Sequence, residues 1–183
     1  MTSPDPSLGS PTGDSVFRIG SITKVFTTLL MLQLRDQGLL KSTSEDITTY
    51  LPEFKIQNPY QTKRGVTFWQ LSSHMGGLPR ETPCDNIFFH GCNLTDDQVY
   101  ANLSKMELIL PPGSVPNYSN LGFALLGHAL ERVSGTDWEE SVQEMILDPL
   151  GMTRSGSVFT PEILKDLAVG YFANGSVTSR SIS

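Results

Sequence analysis

Ser21 and Lys24 stand three positions apart at the head of a strongly apolar stretch, and Tyr118 and Asn120 open a second one. On a helix, positions i and i+3 share a face, so the lysine amine can reach the serine hydroxyl. A free serine is a weak nucleophile and needs a neighbouring base. Lysine serves as that partner only where burial or nearby positive charge lowers its pKa. A helix N-terminus adds backbone N–H groups that favour a developing oxyanion. A tyrosine phenolate beside a lysine ammonium can act as general base, and the resulting phenol can protonate a leaving group. Asn120 has an amide to offer to Lys24 or to a substrate amide. Together these types suit acylation of a serine by an ester or amide carbonyl. Each motif also has a structural reading: Ser21 as a helix cap with a solvent-facing Lys24, and Tyr118 as a packed ring before a capping Ser119. The apolar surroundings of Lys24 weigh against the first, since an ammonium on such a helix needs a polar pocket.

The elements that must position these groups read mostly as helices. Residues 15–20 are a short extended lead. Ser21 to Gln37 repeats Val25, Leu29, Leu32 and Phe26, Leu30, Leu34 at helical spacing, with Gly38 as its stop. Apolar on most sides, this helix is expected to be central and buried. A short helix begins at Ser44-Glu45-Asp46 and stops before Pro52. Thr67 caps a helix from Phe68 to Ser73 or His74, broken by Gly76 and Gly77. Thr95 and Gln98 form a capping-box pattern opening a helix to about Met106. Ser119 starts a long apolar helix ending at Gly135, Asp137 caps another through Ile146, and Thr160-Pro161 starts a last short one. Strand signals are scarce.

With 183 residues, 38% hydrophobic and 17% charged, the chain has a globular composition. Its net charge of -6, with no basic patch, argues against a nucleic-acid partner. No apolar run is long enough for a transmembrane segment. The start lacks the basic and apolar regions of a signal peptide and reads as a flexible lead-in over residues 1–14. Cys84 and Cys92 enclose a short loop. A disulfide there and two free thiols are both open readings. The cysteines and His90 lack a fourth ligand, so no metal site is expected. Asn93, Asn102, Asn117 and Asn174 head glycosylation acceptor patterns, with Asn117 the weakest because a glycan would crowd Tyr118. These patterns favour a secreted or extracellular compartment for a full-length parent. His128 reads as a packed or surface histidine, and Trp69 and Trp138 as core or cap packing.

Several runs, taken jointly, resemble the serine beta-lactamase/penicillin-binding-protein superfamily, specifically its class C beta-lactamase and esterase branch. They are Phe17-Arg18-Ile19-Gly20-Ser21-Ile22-Thr23-Lys24, Tyr50-Leu51-Pro52-Glu53-Phe54, Leu71-Ser72-Ser73-His74-Met75-Gly76-Gly77-Leu78-Pro79, Pro112-Gly113 with Tyr118-Ser119-Asn120, and Asp148-Pro149-Leu150-Gly151-Met152. The acceptor patterns and cysteines make the chain similar to animal beta-lactamase-like proteins in particular. The resemblance implies that Ser21 is the acylated nucleophile, Lys24 its proton partner, Tyr118 the general base and acid, and Asn120 a contact to substrate and lysine. It implies an oxyanion hole built from the Ser21 N–H and one N–H of a late strand, and no metal or cofactor.

The chain departs from that pattern in two respects, and the first is that it opens just before Ser21, where the family's first strands are expected. The family's third motif, Lys-Thr-Gly or His-x-Gly, does not follow Tyr118. The expected fold class is therefore mainly α, the helical region of a beta-lactamase/transpeptidase-like α/β fold with most of the central antiparallel sheet missing. Residues 15–183 form a partial domain, a truncated form of its lineage. Two functional readings follow. One is a serine hydrolase acting on small-molecule or peptide substrates such as esters, amides or D-Ala-D-Ala peptides, with this chain weakly active or inactive. The other is a non-catalytic scaffold that binds or self-associates through an exposed apolar surface.

Overall fold

The computed structural model describes residues 10–60, 65–84, 94–172 and 174–176. Helices dominate, and no strand occurs among the described residues; pairing is limited to isolated bridges such as Val16 with Leu167. The mainly helical class thus agrees with the sequence.

A 3-10 turn at Gly20–Ile22 leads into α1, Thr23–Asp36. Ser21 therefore sits in that turn rather than in the α-helix proper, while Lys24 lies in the first turn of α1. Gly38 ends the helix at φ +78, where a side chain would be strained. The expected helix after Ser44 is only a 3-10 turn at Ile47–Thr49, capped by Asp46, whose side chain accepts from Thr48 N. α2 (Phe68–Ser72) and α3 (Asp96–Leu103) both open on complete capping boxes, Thr67 with Gln70 and Thr95 with Gln98. α3 stops three residues short of the expected Met106, and the chain leaves it through Ser104.

The long helix α4, Asn120–Ser134, starts at Ser119, whose hydroxyl accepts from Gly122 N, and stops at Gly135 with φ +80. α5 (Trp138–Val142) follows, but Asp137 makes no side-chain cap; Glu131 Oε1 accepts from Trp138 N instead. From Gln143 to Leu147 the turns widen into a π-helix, where Gln33 Nε2 donates to the Met145 carbonyl. α6, Pro161–Lys165, is capped by Thr160.

α1, α2 and α5 pack around α4. Leu30, Met31 and Leu34 of α1 meet Leu121, Leu126 and Leu130 of α4 in one core with Phe68, Leu71 and Ile146. Only one side of α1 is covered in this way. Ile22 (61% exposed), Val25 (64%) and Leu29 (37%) form a bare apolar stripe at helical spacing. This corrects the expectation of a fully buried helix and agrees with that of an exposed apolar surface: no described element packs on that side. Trp69 is likewise half exposed rather than core, while Trp138 packs as expected, its Nε1 donating to Thr27 Oγ1.

Candidate active site

The 3-10 turn before α1 and the cap of α4 bring together residues 97 positions apart. Lys24 Nζ donates to Ser21 Oγ at 3.1 Å and to Asn120 Oδ1 at 2.8 Å. Tyr118 OH donates to Ser21 Oγ at 2.6 Å. Lys24 and Tyr118 thus converge on the serine oxygen, and Asn120 joins the cluster through Lys24. The Lys24 ammonium and the Ser21 hydroxyl beside it hold the Tyr118 phenol below its usual range, and burial opposes them weakly. Lys24 Nζ and the Arg80 guanidinium each lie over the phenol ring, 5.0 and 5.1 Å from its centroid. A phenol so placed can give its proton up and take one back from Ser21 across a single hydrogen bond.

The segment carrying Tyr118 is fixed by its neighbours. Ser119, almost wholly buried, uses its hydroxyl twice: it accepts from Gly122 N at 2.8 Å and donates to the Pro79 carbonyl at 2.6 Å. Asn117 Nδ2 donates to the Leu78 carbonyl at 3.1 Å. Asn120 N donates to the Arg80 carbonyl at 2.7 Å. The loop after α2 is thereby stitched to the start of α4. Its own turn depends on Gly77 at φ +71, where a Cβ would stand 2.0 Å from Leu110 O.

Two neighbours escaped the sequence reading. Glu81 accepts from Asn120 Nδ2 with both carboxylate oxygens at 3.0 Å and pairs with Arg80 Nε at 3.1 Å. The Asn120 amide therefore points its oxygen at Lys24 and its nitrogen at Glu81. No spacing rule singles out a carboxylate two residues past Pro79. His74, read only as part of a landmark run, places its ring 4.4 Å from that of Tyr118. The one available signal was a histidine two positions before the Gly76-Gly77 turn.

The other candidates lie elsewhere. His128 makes no hydrogen bond in the Ser21 cluster. Cys92, His90 and Asn93 fall outside the described residues, so the Cys84–Cys92 pairing and the Asn93 acceptor remain expectations. Asn102 is half-buried on α3, Asn117 is engaged with Leu78, and Asn174 is exposed with its Oδ1 accepting from Ser176 N. Among the described residues no group of three His, Cys, Asp or Glu could hold a metal ion, and no helix is long and apolar enough to cross a membrane.

Comparison with known proteins places this geometry in context. A family model described as Beta-lactamase matches residues 6–179. Beta-lactamase-like protein 2 of Dictyostelium discoideum is 46% identical over 168 residues, covering 90% of this chain and 30% of its own. A human beta-lactamase-like protein is 32% identical over 177 residues, covering 93% of this chain and 35% of its own. A solved structure of a beta-lactamase/D-alanine carboxypeptidase from Yersinia pestis superposes with a TM-score of 0.74 at 34% identity, over 86% of this chain and 45% of that one. The chain thus spans about a third of the length of these curated relatives.

Proposed function

The chain belongs to the beta-lactamase family, and from that premise we propose that it is a serine hydrolase lineage member working through an acyl-enzyme on Ser21. The observation that carries the reading is the meeting of Tyr118 OH and Lys24 Nζ on one Ser21 oxygen. With Tyr118 as phenolate, the Ser21 proton passes to it as the serine oxygen bonds to the substrate carbonyl carbon. The phenol then returns that proton to the departing alkoxide or amine as the carbon–leaving-group bond breaks. Water repeats both transfers to release the acid. Lys24 stabilises the phenolate throughout and, through Asn120, keeps the amide oxygen turned toward itself. No metal or cofactor enters these steps.

Esters, small amides and D-alanyl peptides are the proposed substrate class, the last supported by the name of the Yersinia relative. The backbone N–H of Ser21 is proposed as one oxyanion donor, and loss of one such donor typically costs about 10²–10³ in rate. A secretory compartment for a full-length parent is proposed from the acceptor patterns at Asn93, Asn102 and Asn174.

The bare stripe of Ile22, Val25 and Leu29 favours a second reading, a scaffold that self-associates through that face. Intact-mass spectrometry after exposure to a fluorophosphonate or a penicillin separates the two. The hydrolase reading expects a single adduct, lost in Ser21→Ala. A cooperatively folded sample that gains no adduct would favour the scaffold.

A further inference from the structure

His74 is the one described non-glycine residue with positive φ, at +60. A left-handed backbone costs an ordinary residue about 1–2 kcal/mol and persists only where its surroundings hold it. Here the surroundings are the Tyr118 segment. The residues on either side of Tyr118 both donate their backbone N–H to His74: Asn117 N to its carbonyl at 2.8 Å, and Ser119 N to its Nδ1 at 3.1 Å. Between those two tethers the imidazole lies against the phenol, ring centroids 4.4 Å apart, with the Phe123 ring also beside it at 4.9 Å. Rotating His74 into ordinary backbone geometry would pull away both bonds and the ring.

We propose that His74 is the positioning residue of this site, acting through Tyr118: it clamps the tyrosine from both flanks so that the phenol stays on Ser21. The proposal rests on the reading of Tyr118 as general base. Because Nδ1 accepts from Ser119 N, the neutral ring carries its proton on Nε2. Burial, and then the Lys24 charge, hold the imidazole below its ordinary pKa and favour that neutral acceptor form. A protonated ring would present a second Nδ1 donor to Ser119 N and break the clamp. The charged groups facing this cluster are Lys24 and Arg80 over the phenol, with Glu81 paired to Arg80.

The test reads Tyr118 directly and so does not depend on turnover. Tyrosine-labelled protein is titrated by NMR, with Tyr118→Phe assigning the resonance. In the unaltered chain Tyr118 is expected to titrate below the ordinary value of about 10. His74→Gly accepts the positive φ without strain but removes ring and acceptor, and Tyr118 should return to the ordinary range. His74→Asn keeps a short acceptor and tolerates left-handed backbone, and should retain most of the lowering. Should His74→Gly not fold, His74→Leu, which fills the space without an acceptor, takes its place. A Tyr118 titration in the acceptor-less variant matching that of the unaltered chain overturns the proposal, as does an ordinary Tyr118 in the unaltered chain. Failure of Ser21 to take an adduct, with the His74 pattern intact, would instead sink the acyl-enzyme reading and leave the clamp standing.

Discussion

Replacing Ser119 by Ala removes one hydroxyl that serves two partners on opposite sides of the site. The first is Gly122 N, at 2.8 Å, an otherwise unpaired donor of the first turn of α4. Loss of an N-cap of this kind costs about 1 kcal/mol, within a range of about 0.5–2. The second is the Pro79 carbonyl, which accepts from the same hydroxyl at 2.6 Å. Ser119 is only 3% exposed, so water is poorly placed to replace it. An acceptor stranded in this way costs about 1–3 kcal/mol. The sum is about 2–4 kcal/mol, a large share of the roughly 5–15 kcal/mol that holds a domain together. Urea unfolding followed by far-UV circular dichroism should show a midpoint lowered by about 1–2 M with an unchanged slope. Ser119→Thr retains the hydroxyl and should recover most of the loss. A Ser119→Ala midpoint within about 0.3 M of the unaltered chain would refute the reasoning. It would mean that one of the two bonds is made by water in solution or that the cap is dispensable.

Two further changes probe the lysine and the loop beneath it. Lys24→Met removes the donors to Ser21 Oγ and Asn120 Oδ1 with little change in volume. Adduct formation with a fluorophosphonate should slow by about 10²–10⁴, and the Tyr118 titration should rise toward 10; a rate within about threefold would contradict the assigned role. Gly77→Ala combines a φ of +71 with a Cβ set 2.0 Å from Leu110 O, so it should cost about 3 kcal/mol or more in urea unfolding. Gly38→Ala, at φ +78 with nothing within 4 Å of its Cβ, is the matched control and should cost only about 1–2 kcal/mol.

Local chemistry was readable in the sequence. Thr67 with Gln70, Thr95 with Gln98, Ser119 and Thr160 all cap where their side chains can satisfy the free N–H groups of a first turn. Gly38 and Gly135 end helices for the equally local reason of positive φ. Asp137 shows where that logic fails. Its helix is capped by Glu131 of the preceding element, a choice set by how α4 and α5 meet and not by residues adjacent in sequence. The site divides in the same way. Ser21 and Lys24 announce themselves by spacing, whereas their union with Tyr118 and Asn120 was legible only from side-chain chemistry and family resemblance, because 97 positions separate Ser21 from Tyr118. Glu81 and His74 carry no spacing at all: one gains its place from the orientation of an amide, the other from a left-handed backbone.

The misreading of α1 has a functional consequence. A helix apolar on most sides was expected to be central and buried, yet burial needs elements on both flanks, and the described chain supplies one. Ser21 and Lys24 precede Ile22 and Val25 by one residue each, so the pair borders the bare stripe. Ser21 is accordingly exposed while its hydrogen-bond partners are already in place. Preorganised donors are worth most where water is excluded, because the same charges interact far more weakly at the dielectric of solvent. Geometry and desolvation are therefore separable in this protein. The first is built by the loop after α2 and the cap of α4; the second depends on whatever covers Ile22, Val25 and Leu29. Covering that stripe, by any partner, should raise the reactivity of Ser21 without moving a single one of the groups that converge on it.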